Sequence, residues 1–172
     1  GIPDSVISIG EGAFGGCSSL SSVVIPDSVT SIDKNAFSAC SGLTSVAIPG
    51  SVTSIGNYAF CNCSSLTSIE VDSANPVFSS SADGKMLLSE DKTTLIEYPS
   101  AAGEVTIPAG VSIINSCAFE SNSNITSVVI PEGVTSIGDY TFGGCENLTS
   151  VTIPDSVTSI GNSAFYSCYS LE

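Results

Sequence analysis

Seven cysteines, seventeen carboxylates and a complete lack of histidine set the limits on the chemistry this chain could do. Cys17, Cys40, Cys63, Cys145 and Cys168 recur at one position of a repeated phrase, and Asn122 fills that position in the copy between Cys63 and Cys145. Cys61 and Cys117 stand outside the column. A disulfide or metal framework needs side chains that converge, whereas stacked copies of one phrase send their Cβ vectors out in parallel. A buried thiol also behaves as a small hydrophobe. The column therefore reads as structural thiols, reduced and buried, with Cys61 and Cys117 the more open pair. Cys61-x-Cys63 is a poor metal motif, because neither a second pair nor a histidine accompanies it. No cofactor and no metal are expected.

Without histidine, Ser–His and Cys–His nucleophile systems cannot be assembled from these residues. Spacing singles out no pair of carboxylates, and no glycine-rich phosphate loop precedes a helix. The reading is that of a non-enzyme. Three glycosylation sequons, at Asn62, Asn124 and Asn147, are what chance yields in a chain so rich in Ser and Thr. Against the acids stand only Lys34, Lys85 and Lys92, for a net charge of -14. Nucleic-acid binding needs Lys and Arg to displace counterions from phosphates, so it is excluded, and so is attraction to an anionic membrane surface. The acids are scattered, unlike the clusters of calcium loops, and read as a self-repelling, soluble surface.

These residues are positioned by a repeat. Ile-Pro pairs begin at residues 2, 25, 48, 107, 130 and 153, mostly 23 residues apart. The longer gap between Ile48 and Ile107 holds one more 23-residue rung, marked by Val71, and a long rung of 36. A fixed period of this size means a solenoid. Within the rung from Leu43 to Leu66, Val46 and Ile48 alternate as an inward-facing strand does. Pro49 ends that strand. Ser51 to Ile55 predicts a second brief strand or extended segment, Gly56-Asn57 a turn, and Tyr58-Ala59-Phe60 one helical or 3-10 turn. Stacked rungs, about 4.8 Å apart, put like residues over like. Phe14, Phe37, Phe60, Phe119, Phe142 and Phe165 then form one ladder, and Ile9, Ile32, Ile55, Ile114 or its neighbour, Ile137 and Ile160 another. Hydrophobic residues make up 42% of the 172-residue chain, enough for a sizeable core, and no apolar run approaches the roughly 20 residues of a membrane helix.

The phrase "IPxSVTSIGxxAFxxCxxL", preceded by Leu43, Val46 and Ile48 at L-x-x-L-x-L spacing, resembles the BspA-like, or Treponema-like, branch of the leucine-rich repeats. Ser51 stands where many such repeats carry asparagine. The resemblance covers the chain except residues 74–102. It implies a mainly β repeat solenoid with short helical or 3-10 turns: a right-handed leucine-rich-repeat superhelix of about seven rungs. It makes residues 1–172 a single domain within a longer array. It also implies a place on the surface of bacteria or protozoa and a part in adhesion to host proteins or other cells.

Residues 71–107 break the pattern. Val71 and Phe78 keep their columns, after which "SADGKMLLSEDKTTLIEYP" replaces the Ala-Phe turn. Asp83-Gly84 and Glu90-Asp91-Lys92 are turn signals, so 74–102 reads as an irregular hairpin or meander insertion. It is either a binding loop or a structural variant rung.

The function expected is a non-catalytic, extracellular protein-binding module that presents the outward strand positions to a protein on a host or another cell. These are Ser45, Ala47, Ser68, Glu70, Glu104, Thr106, Ser127, Val129, Ser150 and Thr152. They lack the Trp, Tyr and Arg anchors of interface hot spots, which points to weak, multivalent contacts. The alternatives are a spacer that presents another domain, and a lattice-like ligand such as ice or glycan meeting the Ser and Thr columns. The chain starts inside one repeat at Gly1 and stops inside another at Glu172, as an excised piece of an array does. Ile153, Val157, Ile160 and Phe165 are therefore expected edge-on, with weak end-to-end self-association that salt strengthens by screening charge.

Overall fold

The computed structural model describes residues 1–99 and 101–172. The backbone forms two compact units, Gly1–Glu90 and Asp91–Glu172. Each is built from rungs stacked in parallel register, the β-solenoid architecture that the repeat predicts.

In the first unit, the short strands β1 (Ser8–Ile9), β2 (Ser31–Ile32) and β4 (Ser54–Ile55) stack in that order. Ser8 lies beside Ser31 and Ser31 beside Ser54, so each step is one repeat. On the other side of the rungs, β3 (Ser45–Ile48) pairs with β5 (Ser68–Val71), Val46 beside Ile69 and Ile48 beside Val71. Val46 and Ile48 are buried while Ser45 and Ala47 are exposed, the alternation expected of a half-buried strand. The unit closes with an antiparallel hairpin of β6 (Phe78–Ser80) and β7 (Leu87–Ser89).

In the second unit, β8 (Thr94–Glu97), β10 (Ile113–Ile114), β12 (Ser136–Ile137) and β14 (Ser159–Ile160) form one parallel stack. The facing stack is β9 (Gly103–Thr106), β11 (Ile125–Val129) and β13 (Ser150–Thr152). Leu95 lies beside Ile114, so β8 is part of the stack and holds the isoleucine column. The last third of the expected meander is thus a rung strand and does not project.

The phenylalanine ladder exists in both units. Phe37 stacks between Phe14 and Phe60, with centroids 5.1 and 5.6 Å away and rings within 4° of parallel. Phe142 stacks between Phe119 and Phe165 at 5.0 and 5.3 Å. Phe37, Phe60, Phe119 and Phe142 are among the largest fully buried side chains.

The expected helical or 3-10 turn before each phenylalanine is not there: no helix occurs among the described residues. In a 3-10 helix every N–H bonds back three residues. Here they alternate. Ala36, Ser38 and Cys40 donate to Asp33, Asn35 and Phe37, while Asn35, Phe37 and Ala39 donate to Asn57, Ala59 and Cys61 of the next rung. This alternation needs left-handed backbone at two places per turn. The first is taken by Gly12, Asn35 and Tyr58 in one unit and by Cys117, Tyr140 and Ser163 in the other. The second is taken by Gly16, Ala39 and Asn62, and by Ser121, Gly144 and Ser167. Non-glycine residues at these angles cost of order 1–3 kcal/mol each, so the inter-rung bonds must hold them there. Gly56 and Gly138 have a different reason to be glycine. A Cβ on either would run into the backbone nitrogen of the rung before, at Lys34 and Ser116 respectively.

Candidate functional site

Hydroxyl groups sort the surface into two kinds. Along one edge of the rungs, Ser28, Ser51 and Ser156 donate to the carbonyls of Val6, Val29 and Val134 in the preceding rung, at 2.7–2.8 Å. Thr30, Thr53, Thr135 and Thr158 donate to Ile7, Thr30, Ser112 and Thr135. Thr44, Thr67 and Thr149 do the same at the mouth of the strand side. These hydroxyls zip one rung to the next. The outward strand positions differ. Ser45, Ser68, Thr106, Ser127, Ser150 and Thr152 make no side-chain hydrogen bond among the described residues. Ser68 and Ser127 are half-buried, and the other eight positions read from the sequence, Ala47, Glu70, Glu104 and Val129 included, are exposed. Within the first unit, register sets Ser45 beside Ser68 and Ala47 beside Glu70. Within the second it aligns Glu104, Ser127 and Ser150, and Thr106, Val129 and Thr152.

The cysteine column does more than fill space. The Cys40, Cys63, Cys145 and Cys168 thiols donate to the carbonyls of Phe14, Phe37, Phe119 and Phe142, at 3.0–3.2 Å. Burial pushes the Cys145 thiol up to about 12, and raises those of Cys40 and Cys168. Since the thiolate is the nucleophile, these are poor reactive groups. Cys61 and Cys117 are a correction: both are buried, while Cys17 is exposed and Cys168 half-buried. The column member of the first rung has no carbonyl of an earlier rung to meet, so coverage, and not column membership, decides exposure. The Cys61 sulfur accepts from the Asn62 amide at 3.8 Å.

The long rung holds residues that pattern reading missed. Asn75 is buried and makes four bonds. Its Nδ2 donates to the carbonyls of Pro49 and Val52 at 2.9 Å, and its Oδ1 accepts from the N–H groups of Val77 and Phe78. In the second unit, Asn122 stands in the cysteine column and donates to the carbonyls of Pro99 and Ala101. Tyr98 enters the phenylalanine ladder: its ring lies 5.7 Å from that of Phe119, tilted by 50°. Its N–H donates to Ala118, the bond a ladder phenylalanine makes. Glu97 thereby occupies the slot of the alanine before the phenylalanine, and is only 8% exposed. Burial first, and then the Glu120 carboxylate, push the Glu97 carboxyl well above the usual range. The signal available was that Tyr98 is the one aromatic residue between Phe78 and Phe119.

A hollow of about 590 Å³ is lined by Ile2, Val6, Ile9, Phe14, Leu20 and Val23. It is the side of the first rung that each later rung of the unit covers with its neighbour. In the last rung Ile153 and Ile160 are exposed, and Val157 and Phe165 half-buried. No helix of the described residues is long and apolar enough to cross a membrane.

A family profile described as a BspA-type leucine-rich repeat region matches in six copies, over residues 1–89 and 97–172. No curated protein matches the chain. Among solved structures, a leucine-rich cell surface protein from Faecalibacterium prausnitzii is 35% identical, with a TM-score of 0.87 over 99% of this chain and 45% of its own. The pneumococcal vaccine antigen PcpA is 26% identical, with a TM-score of 0.84 over 93% of this chain and 46% of its own. A leucine-rich repeat protein from T. pallidum is 30% identical, with a TM-score of 0.57 over 100% of this chain and 73% of its own. The chain thus spans just under half the length of the first two.

Proposed function

Because the chain belongs to the BspA-type leucine-rich repeat family, a family and fold that are generally non-catalytic, we propose that it is a protein-binding and adhesion module of an extracellular cell-surface protein. The observation that carries this reading is the contrast in hydroxyls. The hydroxyls of the zipped columns are committed to the neighbouring rung. Those of the strand face, like Ser8, Ser31 and Ser54 on the opposite stack, are not, and on the strand face they are left to a partner. The surface description of the Faecalibacterium relative supports the location. In this reading residues 1–172 act as one domain, with 74–102 as an insertion within it. The partner is a protein on a host or another cell. The face offers small polar side chains in place of large anchors, so affinity comes from several contacts summed along an array.

The test is binding of the labelled chain to intact cells, read by flow cytometry. Ser45→Gln and Ser127→Gln place a long neutral side chain on the face, and each should weaken binding at least about threefold. Thr53→Val and Thr135→Val, in the zipped columns, should leave binding unchanged. Face variants that bind as the parent does would overturn the reading in favour of a spacer.

A further inference from the structure

The strand face of the first unit carries a hollow of about 300 Å³ whose lining is as much polar as apolar. Two residues that depart from the repeat, Ala47 and Asp72, line it beside Gly50, a third departure next to Pro49 in the chain. Ala47 is the smallest of the outward residues in its column, between Val24 and Glu70. Gly50 stands where the rung before carries Asp27 and the rung after carries Ser73. Asp72 replaces the proline that ends the strand in the two rungs before it, Pro26 and Pro49. The Asp72 N–H can therefore do what a proline cannot, and donates to the Ile48 carbonyl at 2.9 Å. The floor that results is Ala47, Pro49 and Val71, and the rim is Asp27, Glu70 and Asp72.

The rim decides the occupant. One Asp72 oxygen accepts from the Ala74 N–H at 2.8 Å. No ion pair or side-chain hydrogen bond among the described residues engages Asp27 or Glu70. Three carboxylates thus surround an apolar floor on a chain whose net charge is already -14. A bare metal ion would gain nothing from that floor. A lysine or arginine side chain matches both parts, because its methylene stem covers apolar surface while its charged head stays at the wet rim. Arginine fits best, since its guanidinium is planar, weakly hydrated and able to bridge two carboxylates.

We infer that this hollow seats a lysine or arginine side chain of the protein partner, so that the partner meets the first unit through a basic surface. This rests on the strand face being the binding face, and it adds the chemistry of what binds there. Charge of this sign also speeds encounter with a basic partner at low salt.

The probe is the peptide N-acetyl-Gly-Arg-Gly amide, titrated into the isotope-labelled full chain and followed by amide NMR shifts. Its citrulline counterpart, which keeps the shape and lacks the charge, is the control. Saturable shifts are expected at Ala47, Gly50, Glu70 and Asp72. The citrulline peptide should bind about two- to fivefold more weakly, the range of a partly exposed charge pair. Glu70→Gln and Asp72→Asn should each cost the arginine peptide a similar factor, and Glu146→Gln, at an exposed carboxylate of the second unit outside the strand face, should cost nothing. Shifts spread evenly over all exposed carboxylates would overturn the inference. So would calcium ion alone saturating the same amides and displacing the peptide, which would make the hollow a metal site. The two readings fail separately. A flat titration beside face variants that lose cell binding removes the hollow and keeps the face. A localised titration beside face variants that bind normally does the reverse.

Discussion

Where the turns repeat, one thiol meets one carbonyl. Cys40 reaches Phe14 and Cys63 reaches Phe37 in the first unit, as Cys145 and Cys168 reach Phe119 and Phe142 in the second. Where the spacing changes, the arrangement changes with it. Asn75 meets two carbonyls and two N–H groups, and Asn122 meets the carbonyls of Pro99 and Ala101. Asn75, in the long rung, reaches back to two carbonyls of the regular rung before it, and Asn122 reaches back to two carbonyls of the long rung; an amide with two donors is the smallest neutral group that serves both. Three of the buried polar residues, Asn75, Glu97 and Asn122, lie in or beside the long rung, while the fourth among the described residues, Thr141, sits in a regular rung and donates to the carbonyls of Asn115 and Gly138.

The strongest test of the regular region is Phe37→Ala or Phe142→Ala. Each removes a ring packed on both sides, and should cost about 3–5 kcal/mol in urea denaturation. A loss below about 1 kcal/mol would mean that the ladder is decoration and that the strands alone hold the rungs.

The comparison itself is sharpened by Asn75→Ala against Cys40→Ala. The first leaves the Val52 carbonyl and two N–H groups without that partner in a buried place, while the Pro49 carbonyl keeps the Val52 N–H, and should cost roughly 2–3 kcal/mol or more. The second removes one weak sulfur donor and a little volume, for roughly 1–2 kcal/mol. Equal losses would show that the amide is no more than a spacer.

The same contrast explains how much could be read from the sequence. The period, the two strands per rung, the phenylalanine and isoleucine ladders and the alternation at Val46 and Ile48 follow from residue type alone, because identical rungs must fill identical slots. The turn conformation did not follow. Asn35 is a familiar left-handed residue, but Tyr58, Cys117 and Tyr140 are not, and only the bonds to the next rung hold them so. Tyr98 was missed for a related reason. It comes three residues after Leu95, where Phe119 comes five after Ile114, so a fixed template passes over it. The outward strand residues were legible from alternation. Their uncommitted hydroxyls were not, because a serine on the face and a serine in a zipped column look alike in one dimension.

Glu97 supplies a smaller effect, and one with a sign. An alanine slot now holds a carboxyl whose pKa is raised by burial and by Glu120. Below the usual value of 4.5, folded and unfolded chains both hold the proton and the folded state bears no penalty. As pH rises above that value the unfolded chain releases its proton first. Stability therefore falls with rising pH, by at most about 1.4 kcal/mol per unit from this group, until the folded carboxyl ionises too. Glu97→Gln should remove this slope. The informative quantity is the difference between parent and variant stability across a pH series, since the other carboxylates contribute equally to both. Parallel curves would show that Glu97 reaches water.

The least energetic test concerns thiols that share a column and differ only in coverage. Cys17 is exposed and Cys168 half-buried, while Cys40, Cys61, Cys63, Cys117 and Cys145 are buried. Reaction with Ellman's reagent needs both access and thiolate, and burial raises the pKa of Cys168 as well as closing its approach. Cys17 should react first and alone, Cys168 more slowly, and the remaining five only after denaturation. Cys17→Ser should abolish the fast phase with little change in stability, because this thiol spans no pair of rungs. A fast phase that survives the substitution, or a second fast thiol at Cys61 or Cys117, would mean that those turns open in solution. The left-handed Asn62, beside Cys61, and the left-handed Cys117 itself would then be held less firmly than the inter-rung bonds imply.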